Sequence, residues 1–236
     1  MGDRTGSSML NWYSRIKGLP IPQPRTETVL LSKKNILEFW KEKVPEDVLK
    51  KVLKIIADDF KYPVFIRTDQ SSAKHYWRDA CYVESEGKLK DNIWGVVEFN
   101  MCADFAGLPF QAIVVREYIP MASVFEAFNG MPVNPERRYF VRGGEVLCHH
   151  HYWIEEAINE KNSPNLPENW KDLLKEVNTE TPEEIELLTG YAEMVSEAVP
   201  GHWSVDFCKA KDGTWFLIDM ALAAESWHPE CPNNTT

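Results

Sequence analysis

The chain has 236 residues and a formal net charge of −10, from 26 Lys+Arg against 36 Asp+Glu. This acidic balance disfavours general affinity for nucleic acid or anionic membrane, while a local basic cleft could still hold phosphates. Apolar and charged fractions of 44% and 26% are ordinary for a globular protein with enough material for one large domain or two small lobes.

Five scattered cysteines (Cys81, Cys102, Cys148, Cys208 and Cys231) form no CxxC pair, which fits reduced thiols in an intracellular compartment. The first residues lack a signal-peptide hydrophobic segment, and no apolar run approaches the ~20 residues of a spanning helix. A cytoplasmic protein without a membrane partner is expected.

In chain order, residues 1–9 are polar and expected to be loose, within an N-terminal extension over 1–17. GLPIPQPRTETVLL (18–31) is a Pro-rich entry followed by a short strand or turn. Residues 45–60 predict a helix: Pro45, Glu46 and Asp47 suit its first turn, and Val48, Val52, Ile55, Ile56 and Phe60 form an apolar stripe. YPVFIR (62–67) predicts a strand, Ala80–Glu84 a strand or loop, and 91–106 a helix interrupted at Gly95 and stopped by Gly107. FQAIVVREYI (110–119) is a long apolar strand, and RRYFVRGGEVLCHHHYW (137–153) a hairpin turning on Gly143-Gly144. A short helix, a loop and another helix are expected over 154–180. Thr181-Pro182-Glu183-Glu184 caps a helix that runs to about Val199. The tail from Pro229 to Thr236 is expected to be loose. Hairpins interleaved with helices predict an α+β fold of antiparallel sheets covered by helices.

The last hairpin, WSVDFCKAKDGTWFLIDM (203–220), turns at Asp212-Gly213 and carries one carboxylate in each apolar strand, Asp206 and Asp219. Alternation places Ser204, Asp206 and Cys208 on one face, opposite Trp203, Val205 and Phe207. A carboxylate embedded among such bulky neighbours needs a cation, a donor or a metal ion; a solvated rim is the plainer alternative. Upstream, Arg67 ends a strand and is followed by Ser71, Ser72 and Lys74, a supply of cations and hydroxyls suited to polyphosphate. Arg116 and Arg138 lie on two further strands. Any one of these four cations could instead pair with a surface acid. The chain lacks GxxxxGK[ST] and GxGxxG, which disfavours the mononucleotide and dinucleotide folds built on those loops.

In this order the motifs resemble the ATP-grasp superfamily, and within it the branch of the eukaryotic cell-division-cycle assembly-factor family. PVFIRTDQSSAKHYW resembles that branch's first phosphate-binding strand and loop, where Ser72 and Lys74 match its Ser-x-Lys and Arg67 stands where Lys is common. AIVVREYI resembles its adenine-holding strand and hinge, and ERRYFVRGGEVL its Glu-x-Arg-x-Phe-Val hairpin through Glu136 and Arg138. SVDFCKAKDGTWFLIDMA resembles its final metal-binding hairpin.

The resemblance spans roughly residues 18–228. It implies two lobes with the nucleotide between them: a smaller one over about 60–110 that covers the nucleotide, and a larger metal-binding one over about 120–228. It also implies ATP and Mg²⁺ as ligands. Arg67, Ser72 and Lys74 would hold phosphates, and the backbone of Glu117, Tyr118 and Ile119 would hold the base. Arg116 and Arg138 would serve the transferring group, and Asp206 and Asp219 the metal. Two residues after the last-strand acid the superfamily usually has a metal-binding Asn; this chain has Ala221, so a second ion would need Glu225, Ser226 or His228.

The implied activity is an ATP-dependent ligase that activates a carboxylate as an acyl phosphate. An ATP-binding assembly factor or chaperone for a protein partner is the alternative. An ATP-dependent nucleic-acid end-processing ligase is a further one, against which the net charge weighs. His149 and His151 should share one face of their strand and His150 the other, in structural or phosphate-contact roles. Trp77, Trp153 and Trp227 could line an acceptor pocket. Sequence order alone establishes no Ser-His-Asp or Cys-His nucleophile.

Overall fold

The computed structural model describes residues 6–104, 109–128, 130–159 and 161–229. In chain order the elements are α1 (Met9–Ile16), β1 (Thr26–Leu30), α2 (Lys33–Phe39), α3 (Glu46–Asp59), β2 (Val64–Thr68), β3 (Tyr82–Val83), α4 (Glu86–Asp104) and β4 (Ala112–Glu117). There follow β5 (Phe125–Ala127), β6 (Met131–Val133), β7 (Glu136–Arg142), β8 (Glu145–His151), α5 (Trp170–Asn178), α6 (Pro182–Ala198), β9 (His202–Lys209) and β10 (Trp215–Leu222). Single 3₁₀ turns sit at Lys74–Tyr76, Glu155–Ala157 and Ala223–Glu225. The chain divides into two compact units, one holding Pro24–Ile119 and Phe128–Met131, the other Gly6–Gln23, Pro120–Ala127 and the chain from Pro132 on.

The first unit is an antiparallel sheet in the order β1-β4-β2-β3. One sheet face presents Val29, Val64, Ile66, Ile113 and Val115, which join Val48, Val52 and Ile56 of α3 and Leu89, Ile93, Val96 and Val97 of α4 in one buried cluster. Helix α3 follows its apolar stripe, with Pro45 as the N-cap rather than inside the first turn. Helix α4 departs from expectation: it starts at Glu86 and runs through Gly95 without a break. The glycine is a packing device here, since a Cβ on it would stand 2.2 Å from the Asp79 carbonyl oxygen. Gly107 lies outside the described residues.

The second unit is an antiparallel sheet in the order β10-β9-β7-β8. The β7–β8 turn uses Gly143 at φ +63 and Gly144 at φ +89, the pair of positive angles that a tight hairpin demands. Helix α6 starts on Thr181, whose hydroxyl accepts the Glu184 N–H at 3.3 Å, and it backs one face of the sheet through contacts such as Tyr191 with Phe207. Trp153 belongs to the buried core at 2% exposure, which removes it from any pocket wall.

The expectation of a loose start is corrected from residue 6 on. Ser7 and Ser8 are buried, Ser8 caps α1, and Met9, Trp12 and Ile16 bury that helix's apolar face. The Ser7 hydroxyl accepts the Leu222 N–H at 2.8 Å and donates to the Glu225 carboxylate. Of the expected loose tail only Pro229 lies within the described residues. No helix among the described residues is long and apolar enough to cross a membrane.

Candidate nucleotide and metal site

Residues directly opposite one another in a sheet point to the same face, so strand register decides which side chains meet. In the first unit Arg67 pairs with Val114, and Arg116 pairs with both Phe65 and Thr26. Arg67 and Arg116 therefore share the sheet face opposite the helix-covered core. Both are buried, at 3% and 4% exposure, and both are held: Arg67 Nε donates to the Thr68 carbonyl at 3.0 Å, and Arg116 Nε to Thr26 Oγ1 at 3.2 Å. Beside them runs an aromatic series in which Phe65 lies 5.8 Å from Trp77, Trp77 stacks on Tyr82 at 5.6 Å, and Tyr82 meets Tyr118 at 5.1 Å.

The loop after Arg67 is braced by polar side chains that the sequence reading passed over. Thr68 Oγ1 accepts the Ser71 N–H at 3.0 Å and donates to the amide oxygen of Asn100. The fully buried Asp69 carboxylate accepts N–H bonds from Gln111 at 2.7 Å and Ala112 at 2.9 Å. Short hydrogen-bonding residues directly after a strand were the signal for such a turn. Ala73 then takes a left-handed φ of +52, and the half-buried Lys74 opens a 3₁₀ turn. Ser72 is also half-buried.

Glu117 ends β4. Its carboxylate pairs with Arg25 at 3.3 Å and its N–H donates to the Arg25 carbonyl at 2.9 Å. That N–H is therefore not offered to a ligand, and of the three hinge residues Tyr118 and Ile119 follow it outside any strand.

In the second unit the register aligns four polar side chains in one row across four strands. Asp219 of β10 faces Asp206 of β9, Asp206 faces Arg138 of β7, and Arg138 faces His150 of β8. Arg138 grips Asp206 bidentately, Nε to Oδ1 at 2.8 Å and Nη2 to Oδ2 at 2.7 Å, with side chains 12% and 7% exposed. The guanidinium carbon lies 4.7 Å from the centre of the Tyr152 ring, and Nη1 donates to the Trp227 carbonyl at 3.3 Å. Burial pulls the Arg138 pKa down, but the Asp206 carboxylate outweighs it and leaves the guanidinium more firmly protonated than usual. Asp219 is half-buried, and its Oδ1 accepts the Met220 N–H at 2.9 Å.

Two opposed carboxylates on adjacent strands supply hard oxygen donors of the kind Mg²⁺ accepts alongside water and phosphate oxygens. An ionised carboxylate has about four lone-pair sites, more than the hydrogen bonds just described use, so the pair fits such an ion. The residues considered as replacements for the ligand missing at Ala221 are engaged elsewhere. Glu225 accepts from Ser7, Ser226 Oγ lies 2.6 Å from Ser204 Oγ, and His228 Nε2 lies 2.9 Å from Cys148 Sγ.

The three histidines split between the two faces as alternation requires. His149 stacks on Tyr139 at 4.9 Å and sits 3.6 Å from Glu180, while His150 joins the Arg138 row. Arg137, adjacent to Arg138 but on the α6 side, is a structural cation. It donates to the carbonyls of Val177 at 3.1 Å and Thr179 at 2.7 Å and pairs with Glu180 at 2.9 Å. Trp77 packs at the edge of the first unit's core, and Trp227 is 49% exposed.

The sequence has no match among curated proteins. The fold is similar to that of C-terminally truncated Cdc123 from Schizosaccharomyces pombe, with a TM-score of 0.58 at 15% identity over 92% of this chain and 83% of that one. It is also similar to the D-alanine-D-alanine ligase from Coxiella burnetii, with a TM-score of 0.51 at 11% identity over 91% of this chain and 47% of the ligase. At these identities the likeness concerns the fold alone. The family model described as an ATP-grasp domain, clade family 3, matches residues 54–235, the greater part of the chain, and the protein therefore belongs to that ATP-grasp family.

Proposed function

We propose that this protein binds Mg-ATP and transfers the γ-phosphoryl group to a carboxylate substrate, giving an acyl phosphate that an amine or other nucleophile captures. The observation that carries the reading is the row Asp219–Asp206–Arg138, two hard-cation ligands beside a fixed guanidinium. A bound Mg²⁺ supplies charge neutralisation and orientation of the phosphates. Asp206 and Asp219 would hold it. Arg138 has five N–H donors and spends three on Asp206 and Trp227, which leaves one on each terminal nitrogen for a phosphoryl oxygen.

In the first unit Arg67 and Lys74, with Ser72, would take the phosphates on a loop already braced by Thr68 and Asn100. Arg116 would serve the transferring group. Adenine would lie against the aromatic residues beside Arg116, bonded through the backbone from Glu117 to Ile119. Such chemistry depends on positioning and electrostatics and needs no protein nucleophile. Isothermal titration with Mg-ATP, followed by ADP release in the presence of candidate carboxylates, tests the reading. No heat of binding at millimolar Mg-ATP would end it.

Ala221 favours a second reading, an ATP-binding assembly factor for a protein partner, because the position that usually adds a metal ligand carries only a methyl group. Stoichiometric capture of one protein by the ATP-loaded form, without ADP release, would select it over the ligase.

A further inference from the structure

The β7–β8 pair contains a bulge. Val141 faces Val146, but Phe140 faces Cys148, so Leu147 is the extra residue. The slip turns Cys148 to the same face as Phe140 and the Arg138 row, where the chain after β10 also returns. His228 packs edge-on against Phe140 at 4.1 Å and places Nε2 2.9 Å from Cys148 Sγ. A hydrogen bond also joins the His228 ring to the Pro229 backbone. Proline has no N–H, so the imidazole must be the donor there. With Nε2 turned to the sulfur, Nδ1 carries that proton and Nε2 is left as an acceptor.

We infer that Cys148 and His228 form a nucleophilic thiol site, in which His228 Nε2 takes the thiol proton and the sulfur attacks a small hydroperoxide. In the reaction the sulfur bonds to one peroxide oxygen and the O–O bond breaks. The departing hydroxide takes the proton from the imidazolium and leaves as water. Cys148 is oxidised to the sulfenic acid and the peroxide is reduced.

The surroundings suit this chemistry. Cys148 is half-buried, neither sealed nor fully open, so a small electrophile reaches it more readily than a large one. Burial, and then the charge of Arg138, keep His228 below its ordinary pKa, so the ring is neutral and able to accept a proton at pH 7. The groups around it are Arg138, His150 and Cys148 itself, and Arg138 also favours a thiolate in its vicinity. The other described thiols differ. Burial pushes Cys81 up to about 12, Cys208 is buried, and Cys102 is exposed. Among the described residues no group of three or more His, Cys, Asp or Glu gathers as a metal site. The inference stands apart from the nucleotide reading, since neither residue has a role in it.

The test treats the full chain with substoichiometric hydrogen peroxide, traps sulfenic acid with dimedone and quantifies Cys148 against Cys102 by peptide mass spectrometry. Cys148 is expected to react about tenfold or more faster than Cys102, and His228→Asn to bring the two rates together. Equal or slower reaction of Cys148 in the parent protein overturns the inference, as does an unchanged rate in a folded His228→Asn protein. If that variant loses its circular dichroism, the pH profile of iodoacetamide labelling in the parent decides. An inflection below the ordinary thiol value of about 8.5 supports the dyad, and one at or above it overturns the dyad. Protection of Cys148 by zinc ions that EDTA reverses would make the pair metal ligands and overturn it as well.

Discussion

Asp219 stands directly opposite Asp206 because β10 bulges at Ile218. Phe216 faces Cys208 and Leu217 faces Phe207, but the next pair is Asp219 with Asp206. Under unbroken alternation Ile218 would face Asp206, and Asp219 would turn to the side of Leu217, which is 1% exposed. One inserted residue thus re-aims a carboxylate from the apolar face to the Arg138 face, a common use of a bulge next to a site.

The two carboxylates should not respond alike to neutralisation. Asp219→Asn keeps the oxygen that accepts the Met220 N–H and removes a half-buried charge, so stability is expected within about 0.5 kcal/mol of the parent. Asp206→Asn strips a guanidinium that is only 12% exposed of its charge partner, and a loss of about 3 kcal/mol is expected. Both should lose the metal-dependent part of ATP affinity. Urea midpoints together with Mg-ATP titration separate the effects. Wild-type metal-dependent affinity in Asp219→Asn would remove that residue from the site.

Arg137 gives a prediction of the opposite kind, a large stability effect without a ligand effect. Its side chain is 1% exposed and holds the carbonyls at the end of α5 together with Glu180. Arg137→Met leaves those acceptors and a carboxylate behind, at an expected cost of about 3 kcal/mol. The guanidinium carbon lies 5.5 Å from the centre of the Trp215 ring, so tryptophan fluorescence during denaturation reports the change locally. An unfolding midpoint equal to the parent's would contradict the structural role.

The local signals carried far in this chain. The stripe of α3, the Thr181 cap and the glycine turns each act within a few residues, and each appears where its pattern lies. Helix α1 carried the same kind of signal, Ser8 before Met9, Trp12 and Ile16, but eight residues among polar neighbours hid it. The bulges at Leu147 and Ile218 had no local signal at all, because they are properties of two strands in register. For that reason Asp206 and Asp219 could be named from sequence as candidates while their opposition could not. The Arg138–Asp206 bidentate pair, sixty-eight positions apart, was beyond reach for the same reason.

Gly95 tests whether a helical glycine can be required by a neighbour. Alanine is the better helix former by about 1 kcal/mol, so propensity alone predicts stabilisation. The Asp79 carbonyl oxygen, 2.2 Å from the position of the new Cβ, is backbone and cannot swing away. Gly95→Ala is therefore expected to destabilise by about 1–3 kcal/mol, read as a lower urea midpoint. A raised midpoint would show that the loop at Asp79 yields freely.

His150 gives the fold a pH dependence with a definite sign. Burial, assisted by the charges of Arg138, His228 and His151, lowers its pKa from 6.5 to about 4, against a hydrogen bond to the His151 carbonyl that works the other way. Between those values the unfolded chain binds a proton that the folded protein refuses, so stability rises with pH across the window. The contribution is complete above about 6.5 and is lost as pH falls toward 4. Glu180 adds a loss at lower pH. Burial raises its pKa, but its bond to His149 and the charge of Arg137 outweigh that and leave it depressed. The measurement must therefore be a difference between proteins. Urea midpoints of the parent and of His150→Gln, taken from pH 8 to pH 4, should run parallel above 6.5, with the parent falling faster below it. Parallel curves throughout would mean that His150 protonates in the folded state as readily as in the unfolded one.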